Sequence, residues 1–162
     1  MPKNGKIQMH FKTYLIDDKK NVIIFVENTS GGRKLYTLTG KIIHGKGNGR
    51  KVGMPTANLQ YEKVQNLPKP GVYGVMAYID GMGYEGVTNV GTRPSIDDDT
   101  TITVETYIPG MDLDLYGKTM KVEFYIFLRE ICKFDSLEAV KKQVEKDVCR
   151  TKEYFRNRSR EE

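Results

Sequence analysis

Little in this chain could staple or anchor it: 162 residues include only two cysteines and two histidines. Cys132 and Cys149 lack CxxC spacing and a nearby histidine pair, which argues against a zinc site and predicts buried free thiols in a reducing compartment. His10 and His44 stand alone, so neither a triad nor a histidine metal site is expected. Any metal should be bound by oxygen. No apolar run approaches the roughly 20 residues of a membrane-spanning helix, and the start Met1-Pro2-Lys3-Asn4-Gly5 lacks the apolar centre of a signal peptide. A cytoplasmic protein with no membrane partner is expected. Also missing are amphipathic helices between the strand-like segments, and without crossover material parallel βαβ units are excluded.

What is present suits one domain with a real core. Mean hydropathy is −0.53 and the pI is about 9.1. Lys and Arg number 26 against 21 Asp and Glu, a surplus that favours anionic partners, nucleic acids and nucleotides alike. The arginines at 156, 158 and 160 read as a frayed basic helix tail rather than an RNA-binding arm. Strand-like segments cover 8–16, 21–27, 36–43, 71–79, 83–90, 101–108 and 118–128. In the last, Met120, Val122, Phe124, Ile126 and Leu128 alternate with Lys121, Glu123, Tyr125 and Phe127, the period of a strand with one buried face. The polar Asp17-Asp18-Lys19-Lys20 suggests a hairpin turn, and Thr29-Ser30-Gly31-Gly32 a break between a leader and the main body. A helix is expected at 136–157, with Asp135 and Glu138 as its capping pair. Its apolar stripe would be Leu137, Val140, Val144, Val148, Thr151 and Phe155, packed on the outside of an antiparallel barrel or sandwich or across one mouth.

The chemistry-bearing stretch is GKGNGRKVGMPTAN at 45–58. Closely spaced glycines let successive amides point into an anion, and Arg50 or Lys51 would add charge. The pattern is neither a Walker loop nor a dinucleotide fingerprint, and taken alone reads as a hairpin loop. Behind Pro55, Thr56 and Asn58 sit two apart on an extended segment and should project to one side. A hydroxyl and a carboxamide oxygen suit Mg²⁺, which takes few protein ligands beside substrate phosphates. Glu105, in TVETY at 103–107, is a candidate base if it faces a site and a solvated strand charge if it does not. Asp97-Asp98-Asp99 reads as an exposed loop tip. Tyr107, Tyr116, Phe124, Tyr125, Phe127 and Phe134 could stack a flat ring, though most should be core.

With GKIIHGKGNGRKVGMPTANL at 40–59, PGVYGV at 70–75, NVGTRPS at 89–95, VETYI at 104–108, DLYGK at 114–118 and LREICKFDSLEAVKKQVEKD at 128–147, the chain resembles the riboflavin kinase family, as in the C-terminal kinase domain of bifunctional bacterial FAD synthetase. The resemblance covers roughly residues 36–150. It implies a closed six-stranded antiparallel Greek-key barrel with a C-terminal helix, spanning 36–158 behind a leader hairpin at 1–35 of unknown role. The implied activity transfers the γ-phosphoryl of ATP to the riboflavin 5′-hydroxyl, giving FMN and ADP. In that scheme Glu105 is the catalytic carboxylate, and Thr56 and Asn58 hold Mg²⁺. Gly45, Arg50, Thr56, Ile108, Gly110 and Tyr116 contact nucleotide, and Arg129, Cys132 and Phe134 contact flavin. At Ile131 and Cys132 the chain departs from the family, which commonly has a charged residue there. Residues 1–31 are too short for the adenylyltransferase partner and carry no HxGH-like motif, so FAD synthesis is not expected. No nucleic-acid partner is expected, and a monomer is the default. The alternative is a non-catalytic β-barrel that binds flavin, nucleotide or RNA.

Overall fold

The computed structural model describes residues 10–16, 21–27, 34–61, 67–94, 100–111 and 114–161. The strands are β1 (His10–Ile16), β2 (Asn21–Glu27), β3 (Lys34–Ile43), β4 (Thr56–Gln60), β5 (Gly71–Ile79), β6 (Met82–Pro94), β7 (Thr100–Tyr107) and β8 (Thr119–Arg129), and one helix follows, α1 (Leu137–Glu161). Hydrogen bonding orders them β1-β2-β3-β4-β7-β6-β5-β8, and β8 returns to β3. Among the described residues all pairings are antiparallel. Strands β3 to β8 thus form a closed six-stranded barrel, which leaves its ring without a free edge. Outside the ring, β1 and β2 pair from His10↔Glu27 to Ile16↔Asn21, and β2 meets the start of β3 at Val26↔Leu35 and Glu27↔Lys34. The turn at 17–20, the break at 29–32 and the acidic run 97–99 lie outside the described residues.

Inward-facing residues fill the barrel: Leu38 and Ile42 from β3, Val75 and Ala77 from β5, Val90 from β6, Val104 from β7, and Met120, Val122 and Phe124 from β8. The strict alternation expected along β8 fails past Phe124. The register against β5 slips between Val72 and Tyr73 and again between Gly74 and Val75, and each extra residue moves the following side chains to the other face. Phe127 therefore joins the barrel core, while Leu128 and Ile126 join Val72, Val87 and helix residue Val148 in a second cluster outside it.

That second cluster seats α1 on the outside of the barrel. Close approach is possible because a Cβ on Gly74 would lie 2.7 Å from Ile126 Cγ2 and 2.8 Å from Thr151 Oγ1. The helix begins differently from the expectation: Ser136 Oγ, rather than Asp135, accepts the Ala139 amide at 3.1 Å, because Ser136 is the residue immediately before the first helical turn. Leu137 is 55% exposed and does not join the buried stripe. Thr151 and Phe155 are buried, and so is Asp147, which lies on the same stripe. The basic end is helical to Glu161, and Arg158 lies 4.7 Å over the Tyr125 ring, so it is not a frayed tail there. Both cysteines are exposed, contrary to expectation: one is in the loop after β8 and the other on the outer helix face. Among the described residues, no helix is long and apolar enough to cross a membrane.

Candidate active site

The register of three neighbouring strands builds the site. Asn58 on β4 pairs with Glu105 on β7, which pairs with Asn89 on β6. Two residues along, Thr56 pairs with Tyr107 and Tyr107 with Val87. Directly opposed residues point to one face with Cβ atoms about 5 Å apart, so these six form two adjacent rows. The alternate residues Ala57, Leu59, Val104 and Ile108 fill the core, which turns both rows outward. Glu105 is half-buried and faces a cleft between barrel and helix, neither the core nor open water.

Two clefts meet at these rows. The first, about 680 Å³, is lined by Arg50, Gly53, Pro55, Tyr107, Gly110, Met111, Asp114 and Tyr116, a size ordinary for small-molecule sites. Beneath it a smaller recess reaches Thr56, Ala57 and Ile108. The second, about 230 Å³, runs between the barrel wall and α1. Thr56, Asn89, Glu105 and Tyr107 border it on one side, and Arg129, Cys132, Phe134, Val140 and Val144 on the other. Its surface is mostly apolar, with polar groups from Thr56, Tyr107, Glu105, Asn89 and the Arg129–Asp147 pair. Tyr107 borders both clefts, and Thr56 borders the second cleft and the recess under the first.

The glycine loop closes over this junction. Met54 N donates to Gly49 O at 2.8 Å, Val52 N to the same oxygen at 3.1 Å, and Gly53 N to Arg50 O at 3.1 Å. These three amides are spent inside the loop, so the expected cradle of successive amides does not extend through 52–54. A single 3₁₀ turn at Arg50–Val52 uses them instead. Gly45 backs onto Asn58: a Cβ there would sit 2.6 Å from Asn58 Oδ1 and nearer still to its Nδ2. Arg50 Nη2 donates to Tyr116 Oη at 3.3 Å, and His44, given no role from sequence, stacks on Tyr116 with ring centroids 3.4 Å apart.

Thus Thr56, Asn58 and Glu105 come together, and Arg50, Gly110 and Tyr116 line one cleft while Arg129, Cys132 and Phe134 line the other. Ile108 is only 5% exposed and offers the recess an apolar floor. Of the six aromatics, Phe124 and Phe127 belong to the core, Tyr125 packs on helix residue Phe155, and Tyr107, Tyr116 and Phe134 face the clefts. Asn89 was not assigned to the site from sequence, and Tyr107 was named only as one of six rings that could stack a flat group. Tyr107 stands two residues from Glu105 on one strand, a signal that could have placed it; Asn89 depends on pairing across strands. Arg129 lines the second cleft with its Nε and Nη2 turned to the buried Asp147 carboxylate.

A family model described as flavokinase, riboflavin kinase, matches residues 32–155. The chain belongs to the riboflavin kinase family. It is 34% identical to a bifunctional riboflavin kinase/FMN adenylyltransferase of Listeria monocytogenes over 74% of this chain and 38% of that protein. It is 36% identical to an RNA-binding riboflavin kinase of Bacillus subtilis over 68% of this chain and 47% of that one. The match thus spans less than half the length of these relatives. The crystal structure of riboflavin kinase from Trypanosoma brucei superposes with a TM-score of 0.54 at 24% identity, covering 78% of this chain and 83% of that one, and shares the fold.

Proposed function

We propose that this chain phosphorylates riboflavin at its 5′-hydroxyl with ATP, producing FMN and ADP, and that residues 36–158 are the catalytic unit. The observation that carries the reading is the junction: Glu105 and Thr56 stand where a cleft bearing Arg50 meets an apolar slot, with the Asn58 carboxamide opposite Glu105 on the neighbouring strand. ATP occupies the first cleft, its phosphates toward Arg50 and its base toward Tyr116 and Gly110, over Ile108. The flat flavin ring occupies the slot beside Phe134, between Cys132 and the Val140–Val144 face of α1, with the ribityl chain running toward Glu105. Arg129 shapes that slot from its bond to Asp147.

Glu105 accepts the 5′-hydroxyl proton as the hydroxyl oxygen bonds to the γ-phosphorus and the bond to the bridging oxygen of ADP breaks. Such a transfer depends mainly on positioning and charge stabilisation. Asn89 flanks Glu105 on the side away from Asn58 and restricts where the carboxylate can lie. Among the described residues no group of three or more His, Cys, Asp or Glu could hold a metal. Thr56 and Asn58 are neutral oxygen donors on one face, the donor set expected for a cation that arrives with phosphates. Bound there, Mg²⁺ would supply neutralisation of charge on the phosphate oxygens.

The test incubates the purified chain with riboflavin, ATP and Mg²⁺ and separates FMN from FAD by chromatography, with Glu105→Gln in parallel. FMN from the wild type, and turnover lowered by about 10²-fold or more in the variant with ATP affinity retained, is the expected result. Flavin or nucleotide binding without FMN would favour a non-catalytic module. Normal turnover in the variant would remove Glu105 from the mechanism.

A further inference from the structure

We infer that Asp147, through Arg129, sets the shape of the apolar slot, and so is a positioning residue for the flat substrate ring; this rests on the proposed flavin occupancy of that slot. Asp147 is completely buried on α1, where a charge is costly unless fully paired. It is fully paired. Arg129 Nε lies 3.0 Å from Oδ2 and 3.2 Å from Oδ1, Arg129 Nη2 donates to Oδ2 at 2.8 Å, and Gln143 Nε2 donates to Oδ1 at 3.1 Å. One turn later Thr151, which donates to the Asp147 carbonyl at 2.9 Å, packs closely on Gly74 of the barrel wall.

The consequence lies in the one guanidinium nitrogen that Asp147 leaves over. Arg129 Nη1 reaches forward to the Glu130 carbonyl at 3.3 Å and to Cys132 Sγ at 3.5 Å, and the guanidinium stands 5.6 Å from the Phe134 ring. A planar group fixed at two nitrogens has no torsional freedom at the third, so the carboxylate dictates where residues 130–134 lie. Of those residues, Ile131, Cys132 and Phe134 line the slot. The first cleft shares none of this apparatus, so the effect should fall on one substrate alone. A pair that served only to hold α1 would also disturb the slot, because Val140 and Val144 line it, but it would leave the order of residues 130–134 unchanged.

The experiment uses Asp147→Asn and the apolar pair Arg129→Met with Asp147→Leu, the latter because replacing both partners leaves no stranded charge. Riboflavin affinity is read by fluorescence quenching, ATP affinity by calorimetry, folding by thermal melting, and wall mobility by trypsin cleavage after Lys133 relative to cleavage after Lys46. The expected result is riboflavin binding weakened by about tenfold or more, ATP affinity within about twofold, and faster cleavage after Lys133 in both variants, with the apolar pair melting near wild type. Unchanged riboflavin affinity and unchanged cleavage after Lys133 would overturn the inference, as would parallel loss of both affinities in the well-folded apolar pair. If wild type binds no riboflavin, the proposed activity fails and the inference falls as a substrate-positioning claim. In that case the cleavage ratio still decides whether Asp147 fixes the wall.

Discussion

Gly45→Ala separates catalysis from folding. The φ angle of Gly45 is not among the left-handed values found at Gly47 or Gly53, so alanine suits the backbone there. Its Cβ would nevertheless enter the space of the Asn58 carboxamide, 2.6 Å from Oδ1. Only a side-chain end opposes it, so the chain yields by rotating Asn58, and the folding cost should stay below about 1 kcal/mol. The carboxamide must retreat by roughly 1 Å, a displacement that can cost a phosphoryl transfer about 10²-fold, or about 2.7 kcal/mol of barrier. The assay follows FMN formation across a Mg²⁺ titration at saturating riboflavin, with thermal melting and riboflavin affinity in parallel. Lower turnover, a raised Mg²⁺ requirement, unchanged riboflavin affinity and a near-normal melting point are expected. Gly40→Ala is the control in the opposite direction: its Cβ would meet the Gln60 backbone carbonyl, so it should lose stability first. A well-folded Gly45→Ala protein with normal turnover and Mg²⁺ dependence would refute the placement of Asn58 at the metal.

Thr56→Val keeps the shape of β4 and removes one oxygen donor, so MgATP binding should weaken while riboflavin binding holds; an unchanged Mg²⁺ titration would refute the ligand assignment. Ser136→Ala removes the Ala139 cap and should cost about 1 kcal/mol in urea denaturation, whereas Asp135→Ala should cost much less; the reverse ranking would refute the capping assignment. Burial, followed by the charges of Tyr36 and Glu130, raises the Tyr73 phenol from its ordinary 10.0 to about 12. Since the folded state keeps a proton that the unfolded chain releases, stability should hold below about pH 10 and fall between about pH 10 and 12. A urea midpoint flat across that window would contradict it.

Strand-like segments were legible for every strand but the short β4, and the missing crossover helices excluded a parallel sheet. The leader strands, β3 and β5 come close to the expected limits. The pattern misled where two register slips carry Ile126 and Leu128 to the outer face. A slip is a property of a strand pair and leaves no mark in one strand's alternation. At the helix start, Asp135 and Ser136 both suit an N-cap, and only the geometry of the first turn chooses between them. The cysteines were misplaced for a simpler reason, since average burial of a residue type says nothing about which helix face a given one occupies.

The site was legible where its residues share one strand and obscure where they meet across strands. Thr56 and Asn58, two apart behind a proline, could be put on one side without knowing the fold. That Glu105 lies directly opposite Asn58, with Asn89 beyond it, follows only from the order β4-β7-β6, which no local pattern encodes. The buried Asp147 did leave a trace: it sits among Val144, Val148 and Thr151 at helical spacing, a charge where the apolar stripe requires burial. A carboxylate in such a position requires a cation from another element, and β8 ends in Arg129 just before the loop that leads into the helix. The amide cradle shows the converse limit, because glycine content reports what a loop can adopt and not which of its amides remain unspent. In this loop Gly49 and Arg50 take the last three, and any phosphate contact by main-chain amides must come from the preceding residues.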